Sequence, residues 1–595
     1  MKTLISHGLV FDGAGNPGLK GYVLIDDQQV VYVGEERPDG PVDREIDATG
    51  QWVMPGFLDT HTHYDAELLA EPGIVESVRH GVTTVFVGSC SLGTVLTNPL
   101  DGADLFSRVE ALPHKSVLAT LEKHKTWSSP AEWIEALHNR PLGPNVAAFL
   151  GHSDLRTAVM GIERATDEKV RPTKEELTRM ETHLHDALDA GFLGMSTMTN
   201  PWDKVGGDRY RSRKLPSTYA TWGEYRRFHR ILRQRDRILQ SAPNITTKVN
   251  MFAFLAESIG LGLRKPLKTT LITAADPKSN PFISSVATLS ADLCNHVMGG
   301  DLRWQTVPMP FEVYADGMDL VVIEEFGAGE AALHLSNALE RDQLLQDEEY
   351  RRWFRRDYDR RFGPRVWHRD FYDATIVSAP DESLVGQSFG AVADARGIHP
   401  VDAFLDLVVE YGTDLRWKTL IANHRPKKLA KMVAKDAIQI SFSDAGAHVR
   451  NMAFYNFPLY LLRMVKDTAT AGNPCMSLEK AIHKLTGEQA DWFGVDAGHL
   501  RPGARADVVV VNPAGLDASI DDIHEAPMAL LGGTPRMVRR NDRAVTATFI
   551  GGDLVFEGGS FSPGYGTTRR TGMFLGANGA TSVPVTAPAQ EEKAA

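Results

Sequence analysis

The sequence contains few cysteines and no long apolar run. Its 595 residues include three cysteines, Cys90, Cys294 and Cys475, which are too few and too scattered for a disulfide framework. We therefore expect a reducing compartment, in which a cysteine of special function is a metal ligand or a nucleophile. No stretch of about 18 apolar residues occurs, so we predict no membrane span. The start, MKTLISHGLVFDGAG, reaches glycine, aspartate and histidine too early for a signal peptide, and we expect a cytoplasmic protein.

The chain also lacks an excess of positive charge. Lysine and arginine number 64 against 76 aspartates and glutamates, which gives a net charge of −12 and a pI near 5.9. No broad basic surface is expected to attract phosphates, so nucleic acid is excluded as a partner. Hydrophobic residues make up 43% and charged residues 24%, which excludes a disordered or fibrous protein. The length corresponds to roughly four average domains, or to one large barrel with appended elements.

Short apolar strands separated by Gly and Asp turns occupy both ends of the chain. Residues 22–25 are typical of the N-terminal strands, and residues 508–511 are typical of the C-terminal ones. Neither end has enough strands to close a core alone. The two half-sheets are therefore expected to bury each other's apolar faces as one small β-sandwich. We assign residues 1–54 and 499–570 to this sandwich.

Alternating strand and helix patterns fill the middle of the chain. Apolar strands such as 83–87 and 145–150 alternate with amphipathic helices such as 178–190. Repeated βα units over more than about 400 residues favour a parallel α/β fold, most simply a (β/α)8 barrel, and we assign residues 55–498 to it. Further strands are predicted at 267–273, 415–423 and 438–442.

Two segments break this rhythm. Residues 339–362 predict a highly charged helix inside an inserted segment around 326–372. This helix is either simply solvated or part of a lid over the barrel mouth. From about residue 578 the sequence is rich in Ala, Thr, Pro and Glu, so we expect residues 578–595 to be disordered.

The strongest local pattern is a strand that runs into two histidines. The stretch MPGFLDTHTHYD at residues 54–65 contains His61 and His63. In a strand, residues i and i+2 point to the same side, so both imidazoles converge on one point. At the C-terminal end of a barrel strand, that point is the mouth where active sites form. The pattern favours a metal site over two unrelated surface histidines.

These residues resemble the signatures of the amidohydrolase superfamily. PGFLDTHTHYD is similar to the superfamily's first-strand motif, and GVTTVFVGSC at residues 81–90 resembles the second-strand motif of its D-aminoacylase branch, the N-acyl-D-amino-acid deacylases. The resemblance implies that Cys90 is a zinc ligand in place of a carboxylated lysine. A thiolate suits Zn²⁺, and the alternative is a small buried cysteine that only packs behind the strand.

The resemblance continues along roughly residues 1–570. It implies that Asp444 lies next to the metal and moves the proton during the reaction. The further stretches that are similar to superfamily motifs are GHSDLR at 151–156, GFLGMST at 191–197, SDAGAH at 443–448 and LRPGARAD at 500–507.

One part of the family pattern is missing. D-aminoacylases carry histidines at the ends of strands five and six, whereas the corresponding segments here, 238–244 and 270–276, contain none. We therefore expect one Zn²⁺ per chain, unless Lys278 or His424 is an additional ligand. The residues left to hold the ion are His61, His63, Cys90 and Asp444.

Three further residues are candidates for substrate binding. His152 is the second residue of the third-strand motif GHSDLR, where it would orient the substrate or stabilise an oxyanion. His424 ends a predicted strand and either contacts the substrate or caps a helix. Arg450 is suited to a bidentate clamp on a substrate carboxylate, and its alternative role is an interior salt bridge.

Together these patterns predict a metal-dependent hydrolase. A metal-activated water, with Asp444 as general base and then general acid, would deacylate an N-acyl-D-amino acid. The alternatives are another amide, a cyclic amide or a lactone as substrate, or a non-catalytic scaffold of the same fold. We expect a small N-acylated molecule as partner, no nucleic acid and no membrane; a homo-oligomer is compatible with the sequence.

Overall fold

The computed structural model describes residues 1–244, 248–260, 264–360 and 365–579. The predicted disordered tail, 578–595, lies outside the described residues apart from its first two positions. The strands, in chain order, are β1 Lys2–Val10, β2 Leu19–Asp26, β3 Gln29–Gly34, β4 Arg44–Asp47, β5 Trp52–Pro55, β6 Phe57–Asp59, β7 His61–Thr62, β8 Val82–Val87, β9 Asn145–Gly151, β10 Gly194–Met198, β11 Ile238–Ala242, β12 Lys268–Leu271, β13 Asp301–Thr306, β14 Phe311–Asp316, β15 Thr375–Ser378, β16 Arg416–Ala422, β17 Ile438–Ile440, β18 Phe442–Ala445, β19 Val508–Val511, β20 Ile523–Ala526, β21 Arg536–Arg539, β22 Val545–Ile550, β23 Asp553–Glu557 and β24 Ser560–Phe561.

Helices connect the strands and cover the outside of the fold. Among the described residues, no helix is both long enough and apolar enough to cross a membrane. The helices are α1 Glu67–Ala70, α2 Val75–Val78, α3 Pro99–Ser107, α4 His114–His124, α5 Pro130–His138, α6 His152–Met160, α7 Ile162–Ala165, α8 Lys174–Asp189, α9 Trp222–Gln234, α10 Lys248–Ser258, α11 Ile283–His296, α12 Gly327–His334, α13 Ala338–Gln346, α14 Glu348–Asp359, α15 Phe389–Arg396, α16 Pro400–Tyr411, α17 Pro426–Val433, α18 Phe457–Thr470, α19 Leu478–Leu485 and α20 Gly487–Phe493.

A ring of parallel strands forms the centre of the molecule. Eight strands pair in the order β17-β13-β12-β11-β10-β9-β8-β6. Strand β18 then pairs in parallel with β7, which joins the last position of the ring to the first. The first barrel position is thus β6 with β7, and the eighth is β17 with β18. This is the (β/α)8 barrel that the alternating pattern predicted, and its C-terminal strand ends meet at one mouth.

The sequence analysis did not identify the strand that occupies the seventh barrel position. The predicted strand at 415–423 forms as β16, but it belongs to a separate antiparallel sheet of the order β14-β16-β15. The seventh position is taken instead by β13, whose sequence is DLRWQT. Its interior carries a buried glutamine, Gln305, so β13 lacks the continuous apolar run by which a buried parallel strand is usually recognised.

The two ends of the chain form one nine-stranded sheet. Its order is β24-β23-β22-β19-β5-β1-β2-β3, with β4 beside β1. The N- and C-terminal halves join where β5 runs antiparallel to β19, with Val53 opposite Val510. These valines are fully buried in an apolar cluster that also contains Ile5, Val23 and Phe549. The two ends of the chain therefore share one apolar cluster within a single hydrogen-bonded sheet, and the sandwich bounds 1–54 and 499–570 stay a prediction.

The inserted segment packs as a helical layer beside the antiparallel sheet. The charged stretch at 339–362 forms two helices, α13 and α14, as far as it is described, and both contact α16. On α14, Phe354 is fully buried and lies 6.4 Å, ring centre to ring centre, from Phe404 of α16. The helices thus have an apolar contact face as well as a solvated one, and a role as a lid stays a prediction.

Candidate metal centre

Three potential metal ligands lie together at the C-terminal end of the barrel. His61 is in β7, His63 follows that strand, and Cys90 lies three positions after the end of β8. All three residues are buried, and their ligand atoms lie within 4.8 Å of one another. The alternation of side chains along the first strand puts both histidines on the same side, and the neighbouring strand end brings the thiol to them.

Asp444 completes the cluster from the last barrel strand. Its Oδ1 lies 3.1 Å from His63 Nε2 and 3.7 Å from His61 Nε2. His61 Nε2 is in turn 3.3 Å from Cys90 Sγ. Around a tetrahedral ion with bonds of about 2.0–2.3 Å, neighbouring ligand atoms are about 3.3–3.8 Å apart. The three separations are close to this range. His61, His63 and Cys90, whose ligand atoms all lie within 4.8 Å of one another, therefore fit one divalent metal ion, with Asp444 beside them.

The protonation states of Cys90 and His61 are compatible with a bound cation. Burial raises the pKa of the Cys90 thiol to about 12, although His63 opposes this shift. Burial and the charge of His63 lower the pKa of His61 to about 3, so this imidazole is neutral and can coordinate. A bound divalent cation ionises a coordinating thiol outright. A metal ion at this position would therefore take the place of the protons that Cys90 and His63 carry without it.

The backbone around the cluster is strained. Cys90 (φ 52°), Ser91 (φ 71°) and Asp444 (φ 56°) adopt the left-handed region, which side chains other than glycine rarely occupy. Nearby, Gly446 (φ +88°) approaches the main chain of His63 so closely that a Cβ would lie 2.6 Å from its carbonyl oxygen. Strain of this kind persists where the surrounding structure imposes it, commonly at functional sites.

Glu110 is a site residue that the sequence analysis missed. Its Oε1 lies 2.9 Å from His63 Nδ1, and both side chains are buried. Burial acts to lower the pKa of His63, but the charge of Glu110 and the hydrogen bond with Asp444 raise it well above its usual value. Metal-binding histidines commonly direct their second ring nitrogen at a carboxylate, which fixes the ring. Glu110 follows α3 in an irregular stretch, so no periodicity or motif distinguished it.

The strands at the fifth and sixth barrel positions carry no second set of ligands. Segment 238–244 contains β11 and segment 270–276 contains the end of β12, as the sequence analysis assigned them. Their inward polar groups make other bonds: Gln240 Nε2 donates to the Thr60 carbonyl at 3.2 Å, and the Thr270 hydroxyl donates to Gln439 at 2.7 Å. Among the described residues, His61, His63 and Cys90 are the one group of three or more histidine, cysteine or acidic side chains that could hold a metal ion.

His152 and the two alternative ligands have other partners or positions. His152 is buried, with Nδ1 at 3.1 Å from the Thr197 hydroxyl and Nε2 at 2.9 Å from Glu224. Lys278 Nζ donates to an aspartate, Asp373, at 2.7 Å. His424 follows β16, where burial lowers its pKa. The structure does not bring these side chains into the cluster of His61, His63, Cys90 and Asp444.

Arg450 is held by carboxylates at the mouth of the barrel. Its Nε donates to Asp316 at 2.8 Å, and its Nη1 donates to Glu525 at 2.7 Å. Asp316 is the last residue of β14, in the inserted antiparallel sheet. Of the two roles considered for Arg450, the arrangement matches the salt bridge.

Two adjoining cavities lead to the cluster. The inner one has a volume of about 290 Å³, reaches Asp444, and has a mainly apolar wall. The outer one, of about 700 Å³, contains Arg450 and shares His448 and Asn451 with the inner one. The apolar residues that line the inner cavity include Trp202, Phe311, Leu320, Ile421 and Met452.

Comparisons with known proteins found relatives over nearly the whole chain. No protein-family model matches the chain. An uncharacterized protein of Mycobacterium tuberculosis is 53% identical over 581 residues, which cover 96% of this chain and 95% of that protein. The N-acyl-D-glutamate deacylase of Alcaligenes xylosoxydans xylosoxydans is 27% identical over 516 residues, or 86% of this chain and 87% of the enzyme.

Solved structures share the fold. N-acyl-D-glutamate deacylase from Bordetella bronchiseptica, complexed with zinc and a phosphonate inhibitor, matches with a TM-score of 0.62 and 21% identity over 97% of this chain and 99% of its own. A crystal structure of D-aminoacylase matches with a TM-score of 0.62 and 21% identity, over 96% of this chain and 99% of its own. At 21% identity, these matches show that the fold is shared, and nothing more.

The first prediction concerns metal content. Purified protein should contain about one Zn²⁺ per chain, because the described residues offer one set of ligands. Cys90→Ser should retain the ion at least about tenfold more weakly, since a neutral hydroxyl replaces a thiolate. Elemental analysis and chelator competition measure both. Cys294→Ser, at a buried cysteine outside the cluster, is the matched control. A second ion at full occupancy, or a Cys90→Ser variant as tight as wild type, would contradict this assignment.

The second prediction concerns Glu110. Glu110→Gln should lower metal affinity by about 10- to 100-fold, the usual cost of losing a carboxylate behind a metal-binding histidine. Competition with a chromogenic chelator measures the affinity. Thermal unfolding of the metal-free variant is the control, because a role in the metal site predicts a larger loss of stability with metal than without it. Equal losses in both states would make Glu110 a purely structural residue.

Proposed function

We propose that this protein is a metal-dependent hydrolase that cleaves the amide bond of an N-acyl-D-amino acid. The premise is that the chain belongs to the D-aminoacylase-like branch of the amidohydrolase superfamily. The observation that carries this proposal is the position of Asp444 beside His61, His63 and Cys90 at the inner cavity. The characterised relatives support the class of substrate, because they are an N-acyl-D-glutamate deacylase, an N-acyl-D-aspartate deacylase and a D-aminoacylase.

The residues of the cluster divide the work between binding and proton transfer. A divalent metal ion held by His61, His63 and Cys90 supplies a water of lowered pKa and polarises the scissile carbonyl. Burial opposes ionisation of Asp444, but the hydrogen bond and charge of His63 lower its pKa to about 2. Asp444 is therefore ionised at neutral pH and accepts the proton of the water. It then returns that proton to the nitrogen of the departing amine.

The apolar cavity supports this chemistry by excluding water. Trp202, Phe311 and Leu320 line the space in front of Asp444. Electrostatic interactions are stronger where the surroundings have a low dielectric constant. The carboxylate of Asp444 and the imidazoles beside it thus act on the substrate with little screening by solvent.

The third prediction concerns the proton transfer. Asp444→Asn is nearly isosteric but cannot accept a proton, so kcat should fall by at least about 100-fold. Zinc content should fall less than in His61→Ala, because the proton transfer and not the binding is lost. Steady-state kinetics with N-acetyl-D-amino acids, with N-acetyl-L-amino acids in parallel, measure the effect. Asp276→Asn removes a buried carboxylate outside the cluster and should stay within a few-fold of wild type. A wild-type kcat in Asp444→Asn would assign the proton transfer elsewhere.

A second candidate is a substrate without a free carboxylate, such as another amide, a cyclic amide or a lactone. The observation that favours it is the pair between Arg450 and Asp316, because a guanidinium already bound by a carboxylate is not available to clamp another. Two further arginines of the outer cavity are also paired: Arg108 with Glu324 at 2.8 Å and Arg341 with Asp319 at 2.9 Å.

The fourth prediction separates the two candidates. Asp316→Asn should weaken the hold on Nε and Nη2 of Arg450, while Nη1 stays bound to Glu525. It should raise kcat/KM for N-acetyl-D-leucine relative to N-acetyl-D-leucinamide by roughly tenfold, since a hydrogen bond to a charged group contributes about 1.5 kcal/mol or more. Glu525→Gln, which alters the more exposed partner of Arg450, is the matched control and should shift the ratio less. An unchanged ratio in Asp316→Asn would leave Arg450 without influence on selectivity. A zinc-loaded wild type that hydrolyses neither compound would contradict the deacylase proposal and leave a cyclic amide, a lactone or a non-catalytic scaffold.

A further inference from the structure

Helix α11 carries a row of exposed apolar side chains. They recur at intervals of three and four residues, and each is between 49% and 73% exposed. At 100° per residue these positions fall within an arc of about 80° on the helix. The residues, which we call the α11 stripe, are Phe282, Val286, Leu289, Leu293 and Val297.

The opposite face of α11 is the one that packs on the barrel. It is buried and made of small residues, namely Ser284, Ala287, Ala291 and Cys294. An ordinary surface helix places its large apolar residues inward and its polar residues outward. Here the large residues point away from the core. The part of the chain that the structure describes therefore leaves the larger apolar face of this helix exposed.

We propose that the α11 stripe is a homodimer interface, in which it packs against the same stripe of a second copy. Two antiparallel copies of α11 around a twofold axis would place Leu289, the middle residue of the stripe, near the axis. In such an arrangement Phe282 of one copy faces Val297 of the other. An interface of this kind is self-complementary, because each copy offers the same surface.

The area of the stripe suits a dimer. Its side chains present roughly 500 Å² per copy, if a fully exposed side chain of this size offers on the order of 150–200 Å². Two copies together would remove about 1,000 Å² from water, which is the lower limit for a biological interface and corresponds to a weak dimer. Apolar patches of roughly 300–600 Å² are the largest on a typical monomer and are often functional sites.

The charge of the helix also favours a second copy. The one carboxylate on α11, Asp292, is paired with Lys435 at 3.1 Å, and the helix contains no lysine or arginine. Two copies can therefore approach without repulsion between like charges. A helix that lies on an anionic lipid surface carries lysines and arginines beside its apolar face, and α11 carries none.

The test is the oligomeric state of the full chain. Sedimentation velocity and light scattering should find a wild-type dimer at micromolar concentration. Leu289→Asp should raise the dimer dissociation constant at least about 100-fold, because the two carboxylates would meet at the axis. Leu339→Asp is the matched control: Leu339 is 74% exposed on α13, outside the stripe, and its replacement should leave the dimer intact. Circular dichroism melts check that both variants fold.

A cross-link locates the axis. Leu289→Cys should form an intermolecular disulfide on mild oxidation, whereas Leu339→Cys and wild type should not. A monomeric wild type at all concentrations would overturn the proposal, and so would a dimer that Leu289→Asp leaves intact. A monomer that sediments with phosphatidylcholine vesicles would overturn it too, and would assign the stripe to lipid. None of these outcomes depends on hydrolytic activity.

Discussion

The closure of the barrel between β7 and β18 is the contact on which the candidate site depends. In this pairing Phe442 lies opposite His61, and the Thr60 hydroxyl lies 2.6 Å from that of Ser441, although the two residues are 381 positions apart. The same pairing sets Asp444 next to the histidines of the first strand. A base from one end of the barrel sequence and ligands from the other thus meet because the ring of parallel strands closes.

Burial of ionisable groups then defines what the site can hold. Removing charged groups from water is costly unless partners compensate. Cys90 responds by staying protonated and His61 by staying neutral, while Asp444 and Glu110 lie on two sides of His63. A cation at the centre would pair with the carboxylate and ionise the thiol.

The residues that line the inner cavity and the candidate metal ligands come from different parts of the chain. The candidate metal ligands lie at the barrel strand ends, whereas Phe311 and Val313 of β14 and Ile421 of β16 line the inner cavity from the antiparallel sheet β14-β16-β15. Asp316, at the end of β14, also engages Arg450. One barrel can thus keep a set of metal ligands while an insertion sets the polarity and charge of the space in front of it.

The sequence by itself was enough to predict the features that depend on residues close together in the chain. The period of two along a strand put His61 and His63 on one side, and the βα rhythm predicted a parallel barrel, because both depend on residues close in sequence. The sequence analysis did not predict strand β13, because its buried side chains include Gln305 and this polar residue interrupts the apolar pattern of a buried strand.

Only the tertiary structure decided the contacts between distant residues. No local signal connects Glu110 with His63 or Asp316 with Arg450, because the fold alone brings these charges within hydrogen-bond distance. The α11 stripe makes the same point. Its three- and four-residue spacing is visible in the sequence and by itself indicates a face turned toward a core. That the face points outward is decided by the small residues opposite it, which let the helix pack closely on the barrel with its other side.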